Sequence, residues 1–229
     1  MRMTTLAILA ALLTPGLTAQ VEVEKPAKGK IQKKGRKATN KKAAYQLGSV
    51  VKADLTLKDI HGKVHDFKSL RGKVVFVHFW DTRCPAIKKS QARMNAIHAD
   101  YKGKDVVVLG INANQREIGL DPAVAKATDV DGAGEAPAPY GKVRKFVERN
   151  KVPYPILVDH NNKVADMFKA RTTPHCYVID QKGVLRYQGA LDDDPRGRKG
   201  EKASNHVRVA IDALLAGDDY ENKSTRPYG

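Results

Sequence analysis

Residues 74–85 read VVFVHFWDTRCP, and the fold prediction starts from this segment. Residues 74–80 form a near-continuous apolar run, which is typical of a central strand that is buried on both faces. Apolar side chains then recur at helical spacing over residues 87–101, which predicts a long helix with one buried face. Cys84 and Pro85 therefore lie where a buried strand meets a helix, and proline suits the first helical turn because no partner is needed there for its missing N–H.

The predicted position of Cys84 favours its thiolate form. The first N–H groups of a helix have no partner inside the helix, and the helix dipole attracts an anion at this end. Arg83, Lys88 and Lys89 add positive charge nearby. Because the thiolate is the nucleophile, the sequence predicts that Cys84 is a reactive thiol, and the alternative is an inert, buried cysteine at the end of a strand.

The rest of the globular part alternates between strand and helix patterns. The predicted elements are a hairpin (53–60 and 64–67), a buried strand (106–111), a helix around 143–147, a short edge strand (154–158), a short helix (164–168), a second hairpin (175–180 and 184–188) and a closing helix (207–215) that is capped by Ser204 or Asn205 and ended by Gly217. This order predicts an α/β fold with a central mixed sheet, helices on both faces and an N-terminal β-hairpin extension. Residues 112–139 are rich in Asp, Ala, Gly and Pro and predict a long loop.

The N-terminal residues predict export. A basic start, an apolar run over residues 6–13 and small residues before Gln20 indicate a signal peptide over residues 1–19. The run is shorter than the roughly 20 residues that span a bilayer, so a retained membrane anchor is the alternative and not the first interpretation. We expect a mature protein that is soluble and periplasmic or secreted.

A basic linker is predicted over residues 20–45. Residues 25–42 carry nine lysines and arginines and no acid, a composition that does not support a packed core. This segment accounts for much of the formal net charge of +16, and contact with anionic envelope surfaces is one role for it. We expect no specific nucleic-acid partner, because attraction to phosphates alone carries no sequence information.

The chain has only two cysteines, Cys84 and Cys176, so it is not a disulfide-stapled scaffold. The sequence indicates no cofactor. A soft-metal site made by both cysteines and His175 is a weak alternative, and we predict no metal site.

From about residue 53 to residue 217 the chain resembles the thioredoxin-like redoxins of the AhpC/TSA superfamily, and above all the extracytoplasmic thiol–disulfide oxidoreductases of the TlpA/ResA type. Residues 70–80 (LRGKVVFVHFW) are similar to the segment that leads into the active site of those proteins. Thr173-Pro174, followed by residues 177–180 (YVID), resembles their cis-proline loop and the strand after it.

This resemblance implies a thioredoxin fold over residues 46–217, followed by a tail over residues 218–229. It implies that Cys84 is the nucleophile, that Pro174 lies beside it, and that protein or small-molecule disulfides and thiols are the partners. It also implies a contact groove, to which we assign Trp80, Arg83, Pro85 and Thr173.

The active-site motif departs from that family. The family motif is Trp-Cys-x-x-Cys, whereas Arg83 precedes the nucleophile here and Ile87 replaces the second cysteine. Cys176, two residues after Pro174, is a candidate resolving thiol, either in a disulfide with Cys84 or as an attacking group, and its alternative is an ordinary core residue. His78, six residues before Cys84, is expected to be a hydrogen-bonded core histidine, and the alternative is a base.

Three functions remain open from the sequence. We place first an oxidoreductase that uses Cys84 alone as its active-site nucleophile. A peroxidase of the peroxiredoxin type is second, because the positions where that group carries Pro and Thr or Ser are Val77 and Asp81 here. The third is a degenerate binding module that keeps the groove around Pro174 without turnover.

Overall fold

The computed structural model describes residues 44–119, 121, 139–218, 220 and 223–229. The predicted signal peptide, residues 20–43 of the predicted linker and most of the predicted 112–139 loop lie outside these residues. Within the described ranges, no helix is both long enough and apolar enough to cross a bilayer.

The strands of the described chain form one mixed sheet in the order β2-β1-β5-β4-β3-β6-β7-β8. They are β1 (Thr56–Asp59), β2 (Val64–Asp66), β3 (Val74–Phe79), β4 (Val106–Asn112), β5 (Ile156–Val158), β6 (His175–Ile179), β7 (Leu185–Gly189) and β8 (Lys223–Ser224). β3 pairs in parallel with β4 and antiparallel with β6, so it is central. The prediction of a mixed sheet with an N-terminal hairpin extension is confirmed.

One helix, Gln115–Ile118, lies inside the predicted 112–139 loop and corrects that prediction, whereas the other α-helices follow the apolar periodicities that predicted them. They are α1 (Pro85–Asp100), α2 (Gln115–Ile118), α3 (Gly141–Arg149), α4 (Lys163–Phe168) and α5 (His206–Ala216), with 3-10 turns at His160–Asn162 and Gly200–Lys202. The structure selects Asn205 as the cap of α5, because its side chain accepts a hydrogen bond from the backbone N–H of Arg208. Gly217 ends α5 in the left-handed conformation that glycine adopts without strain.

Both faces of the sheet are covered, and this explains the apolar run of β3. Phe76 contributes to one hydrophobic cluster, together with buried side chains of α1, α3 and α5. Val75 and Val77 contribute to a second cluster on the opposite face, where α4 packs. Alternate side chains of a strand point to opposite faces, so a strand between two helical layers has no solvent-facing position.

The prediction that residues 154–158 form an edge strand is wrong. β5 lies between β4, with which it pairs in parallel, and β1, with which it pairs antiparallel. The N-terminal hairpin extends the sheet beyond β5 and so removes the edge that the sequence pattern suggested.

Both predicted boundaries of the domain also differ in the structure. Tyr45, placed at the end of the linker, is buried, and its ring packs edge-on against Phe168 at 5.0 Å between centroids. Beyond residue 217, in the predicted tail, β8 pairs in parallel with β7 and extends the sheet. Pairing of this kind requires a neighbouring strand, which local composition does not reveal.

Candidate active site

Cys84 is the N-cap residue of α1, and Pro85 occupies the first helical position, as the sequence predicts. The Cys84 side chain is partly buried and packs against the cluster that contains Trp80. Its thiol does not cap the helix. It donates a hydrogen bond to the backbone carbonyl of Thr173 at 2.7 Å, so the sulfur and the loop before β6 are in direct contact.

The loop that receives the thiol is built around a cis peptide bond between Thr173 and Pro174. Antiparallel pairing of β3 with β6 places Phe79 opposite His175, so the end of β3 and the start of β6 meet at one end of the sheet. Because Cys84 follows β3 and Pro174 precedes β6, the topology itself brings these two predicted site residues together.

Asp81 ties the start of α1 to this loop, and the sequence analysis did not assign it such a role. One carboxylate oxygen accepts hydrogen bonds from the backbone N–H groups of Arg83 and Cys84, each at 2.7 Å. The other oxygen accepts a longer bond of 3.4 Å from the Thr173 hydroxyl. An aspartate that bonds backbone groups two and three residues later is a recognisable Asx turn, so the sequence DTRCP did carry a signal for this contact.

Glu117 also holds the segment between β3 and α1 in place, through Thr82. Its carboxylate accepts hydrogen bonds from the Thr82 backbone N–H at 3.1 Å, from the Thr82 hydroxyl and from the Asn112 side-chain amide at 2.6 Å. Glu117 lies on α2, 35 residues after Thr82, so no local pattern could have revealed this contact.

Trp80 belongs to the hydrophobic cluster against which Cys84 packs. Its side chain is fully buried, its indole N–H donates to Gln91 at 2.9 Å, and the Gln91 amide donates in turn to the Tyr154 hydroxyl at 2.7 Å. A cavity of about 370 Å³ lies beside the site, and its lining includes Trp80 and Thr173 of the predicted groove but not Arg83 or Pro85. Asp81 and Arg171 also line it. Arg83 is exposed at the start of α1.

Ile87, at the position of the missing second cysteine, is fully buried in the core cluster. Cys176 is also fully buried, in β6, and both cysteines are free. Burial, reinforced by the negative charge of Asp192, raises the pKa of the Cys176 thiol well above its usual value. The structure thus places Cys176 in the same cluster as Cys84 but without access to solvent.

His78 lies opposite Cys176 in the β3–β6 register, and the prediction that it is hydrogen-bonded is wrong. Neither ring nitrogen has a hydrogen-bond partner among the residues that the structure describes, although the side chain is completely buried. The nearest rings are those of Phe76 and Tyr154, which offer packing and no acceptor for the ring N–H. Burial therefore lowers the pKa of His78 to about 3 and keeps it neutral.

His175, between Pro174 and Cys176, is a buried core residue with one occupied ring nitrogen. Its Nδ1 lies 2.9 Å from the oxygen of the Tyr177 hydroxyl, whose proton is donated to the Phe168 carbonyl. Burial and the nearby charge of Arg171 lower the pKa of His175 to about 4. Within the described ranges, no three side chains of the metal-binding types lie together, so the two cysteines and His175 do not assemble a metal centre there.

Comparison with known proteins agrees with this geometry. The model of the AhpC/TSA family matches residues 50–188, which is more than half of the chain. The chain belongs to the AhpC/TSA family. Among curated members with related sequences, the thiol-disulfide oxidoreductase ResA of Halalkalibacterium halodurans is 26% identical over 132 residues, covering 58% of this chain and 62% of that protein. The ResA protein of Geobacillus kaustophilus is 26% identical over 145 residues, covering 63% of this chain and 70% of that protein.

Solved structures give the same fold for this AhpC/TSA family member. A hypothetical protein from Sinorhizobium meliloti has a TM-score of 0.63 at 25% identity, with 81% of this chain and 93% of that chain covered. A putative thioredoxin from Neisseria meningitidis has a TM-score of 0.52 at 22% identity, with 73% of this chain and 91% of that chain covered. The resemblance to thioredoxin-like redoxins is therefore confirmed, and the fold is a thioredoxin fold.

Proposed function

We propose that this AhpC/TSA family member is an extracytoplasmic thiol–disulfide oxidoreductase that works through a single active-site cysteine, Cys84. One observation carries the proposal: a partly buried thiol at a helix N-cap contacts the carbonyl before a cis-proline, beside an open groove. The ResA proteins, which are named as thiol-disulfide oxidoreductases, support the same activity for this chain.

The proposed reaction begins with loss of the Cys84 proton to solvent. The Cys84 sulfur attacks one sulfur of a substrate disulfide, a new S–S bond forms, and the other substrate sulfur leaves as a thiolate. A second thiolate then attacks the mixed disulfide at either sulfur. Attack on the substrate sulfur joins the attacking thiol to the substrate, and Cys84 leaves as the thiolate.

The proposed source of the second thiolate is an external thiol. Ile87 supplies no sulfur, and the buried Cys176 has a raised pKa that leaves little thiolate near neutral pH. Cys176 as the resolving thiol remains a prediction, but it would require the core around β6 to open.

Deprotonation of Cys84 breaks its bond to Thr173, because only the protonated thiol donates to a carbonyl. Thr173 lines the groove, and the proposed partner of its freed carbonyl is a backbone N–H of a peptide substrate. Substrate binding would thus replace the contact that the thiol gives up, which couples occupancy of the groove to reactivity of the sulfur.

Reduction of insulin disulfides with dithiothreitol as the electron donor tests the proposal. The wild type should show turnover that is slow but measurable, and Cys84→Ser should abolish it, whereas Cys176→Ser should keep it. Retained binding of a disulfide peptide without any Cys84-dependent reduction would identify a binding module instead. Rapid, Cys84-dependent consumption of hydrogen peroxide would favour the peroxidase.

Export is proposed from the N-terminal sequence and is tested separately. Expression of the full chain in a bacterial host, followed by N-terminal sequencing of the exported protein, should give a start near Gln20. A Met1 start in the membrane fraction would identify an anchor.

A further inference from the structure

A second cavity, of about 590 Å³, lies next to the cis-proline loop. Its walls come from four separate parts of the chain: Tyr45–Leu47, the segment from the end of α4 to the beginning of β6, Gln188 in β7, and Ser224–Pro227. This volume lies within the range of about 300–1,000 Å³ that is usual for small-molecule sites. The sequence analysis did not predict it, since two of its walls fall in the predicted linker and tail.

The charges around this cavity have one sign. Lys169, Arg171 and Arg226 line it, and no aspartate or glutamate does. None of the three cations forms an ion pair with a described residue, whereas Arg93, Arg186 and Arg208 each pair with an aspartate elsewhere in the fold. Three uncompensated positive charges around one concave surface repel each other, and an anion placed between them relieves that repulsion.

The cavity is formed by fixed parts of the fold. Tyr45 donates its backbone N–H to the Met167 carbonyl at 2.7 Å, and Thr225 donates its backbone N–H to the Gln188 carbonyl at 3.1 Å. The first bond holds the N-terminal wall against α4, and the second holds the C-terminal wall against β7. A preformed cavity binds a ligand without the additional loss of entropy that ordering its walls would require.

His175 adds a buried polar group to the lining. Its Nδ1 lies 2.9 Å from the Tyr177 hydroxyl and 3.4 Å from the Arg171 backbone nitrogen, and its Nε2 makes no hydrogen bond within the described part of the chain. The residue is 6% exposed, so its ring is close enough to the cavity to sense a bound ligand. The side chains of Gln46, Gln188 and Ser224 line the same cavity and supply neutral donors.

We propose that this cavity binds a compact small molecule with two or more negative charges, either carboxylates or phosphates. Arginine is suited to both groups, because its guanidinium donates two parallel hydrogen bonds to a carboxylate or a phosphate. The cavity is distinct from the groove beside the thiol, because the two linings share only Arg171. That shared residue also makes the two cavities neighbours.

Isothermal titration of the full chain with citrate and with pyrophosphate, at constant ionic strength, tests the proposal. We expect one molecule bound per chain. Arg171→Gln and Arg226→Gln should each weaken binding at least about tenfold, which corresponds to the loss of one charge-assisted contact. The tighter of the two ligands identifies carboxylate or phosphate as the preferred group.

Two control variants separate this site from general attraction to a basic protein. Lys58→Gln removes one exposed charge from β1, near the opposite edge of the sheet, and should leave binding unchanged. Cys84→Ser should also leave binding unchanged, so failure of the proposed oxidoreductase activity and failure of this site are distinguishable. If the two arginine variants bind the anion as tightly as the two control variants do, the basic N-terminal segment holds the anion, and this result would overturn the proposal.

An NMR titration of the unmodified protein provides an independent measurement. The His175 ring signals should shift to saturation with the same affinity, while those of His61, in the turn between β1 and β2, should not move. Absence of binding by either ligand, or binding that leaves the His175 signals in place, would overturn the proposal.

Discussion

Replacement of Ile87 by cysteine should convert a slow reductase into a fast one. Cys84 is the N-cap of α1, and Ile87 is three residues further along the chain. An N-cap side chain reaches the third helical residue, as the capping box demonstrates, so a thiol at position 87 would lie beside the Cys84 sulfur. The variant should therefore resolve its own mixed disulfide.

The expected magnitude follows from effective concentration. Well-oriented intramolecular groups reach effective molarities far above 1 M, so even about 1 M would exceed an external thiol at about 1 mM by roughly 1,000-fold in the resolving step. Turnover rises less than this, because attack on the substrate then limits the rate. We expect an increase of at least about tenfold in insulin reduction.

The substitution also has a structural cost, which the control must match. Ile87 is fully buried, and loss of part of its side chain leaves a cavity that should lower the free energy of unfolding by about 1–3 kcal/mol. Ile87→Ala creates a similar cavity without a thiol and should remain slow. If Ile87→Cys and Ile87→Ala reduce insulin equally fast while both remain folded, the missing cysteine does not limit turnover and the reasoning fails.

Three further predictions concern Cys84, Asp81 and His78. In limited alkylation at pH 6, peptide mapping should find Cys84 labelled first because Cys176 is fully buried, and preferential labelling of Cys176 would reverse the assignment. Asp81→Asn removes a negative charge beside the Cys84 N–H and keeps an acceptor oxygen. Loss of an electrostatic effect of about 1 kcal/mol should accelerate the alkylation of Cys84 several-fold, and an unchanged rate would contradict this effect. Burial lowers the pKa of His78 from 6.5 to about 3, so the unfolded state binds the extra proton and the free energy of unfolding falls as the pH drops below 6.5. Between pH 7 and pH 5, chemical denaturation should show that His78→Leu loses about 2 kcal/mol less of its free energy of unfolding than the wild type does. Equal losses in the two proteins would refute the buried neutral form.

The parts of the fold that the sequence predicted are those in which burial leaves a local pattern. Residues 74–80 are apolar because helices cover both faces of β3, and α1 and α5 show the periodicity of a single buried face. The place of β5 in the sheet could not be predicted in this way. A short apolar run has the same appearance at an edge as in the interior, and its neighbours depend on pairing with the distant hairpin.

The candidate site also contains residues that the sequence predicted and residues that it could not predict. Cys84, Pro85, Thr173 and Pro174 were predictable from the sequence motifs, and the structure brings them together. Glu117 was not predictable, because its contact with Thr82 depends on how α2 folds back onto the active-site segment. The depth of Cys176 was also hidden, since it depends on β7 and on α5 packing over β6 and not on its own neighbours in sequence.

The environment of Cys84 is balanced between opposing electrostatic effects. The N-terminus of α1 favours a thiolate, whereas the Thr173 carbonyl and the Asp81 carboxylate place oxygen atoms close to the same residue. The Thr173 carbonyl accepts a bond from the thiol and would repel the thiolate. A substrate that supplies a donor to this carbonyl removes the repulsion, so the sulfur should become most reactive only when the groove is occupied. Such coupling would suit the proposed mechanism with one active-site cysteine, because a thiol that is less reactive while the groove is empty is less exposed to irreversible oxidation.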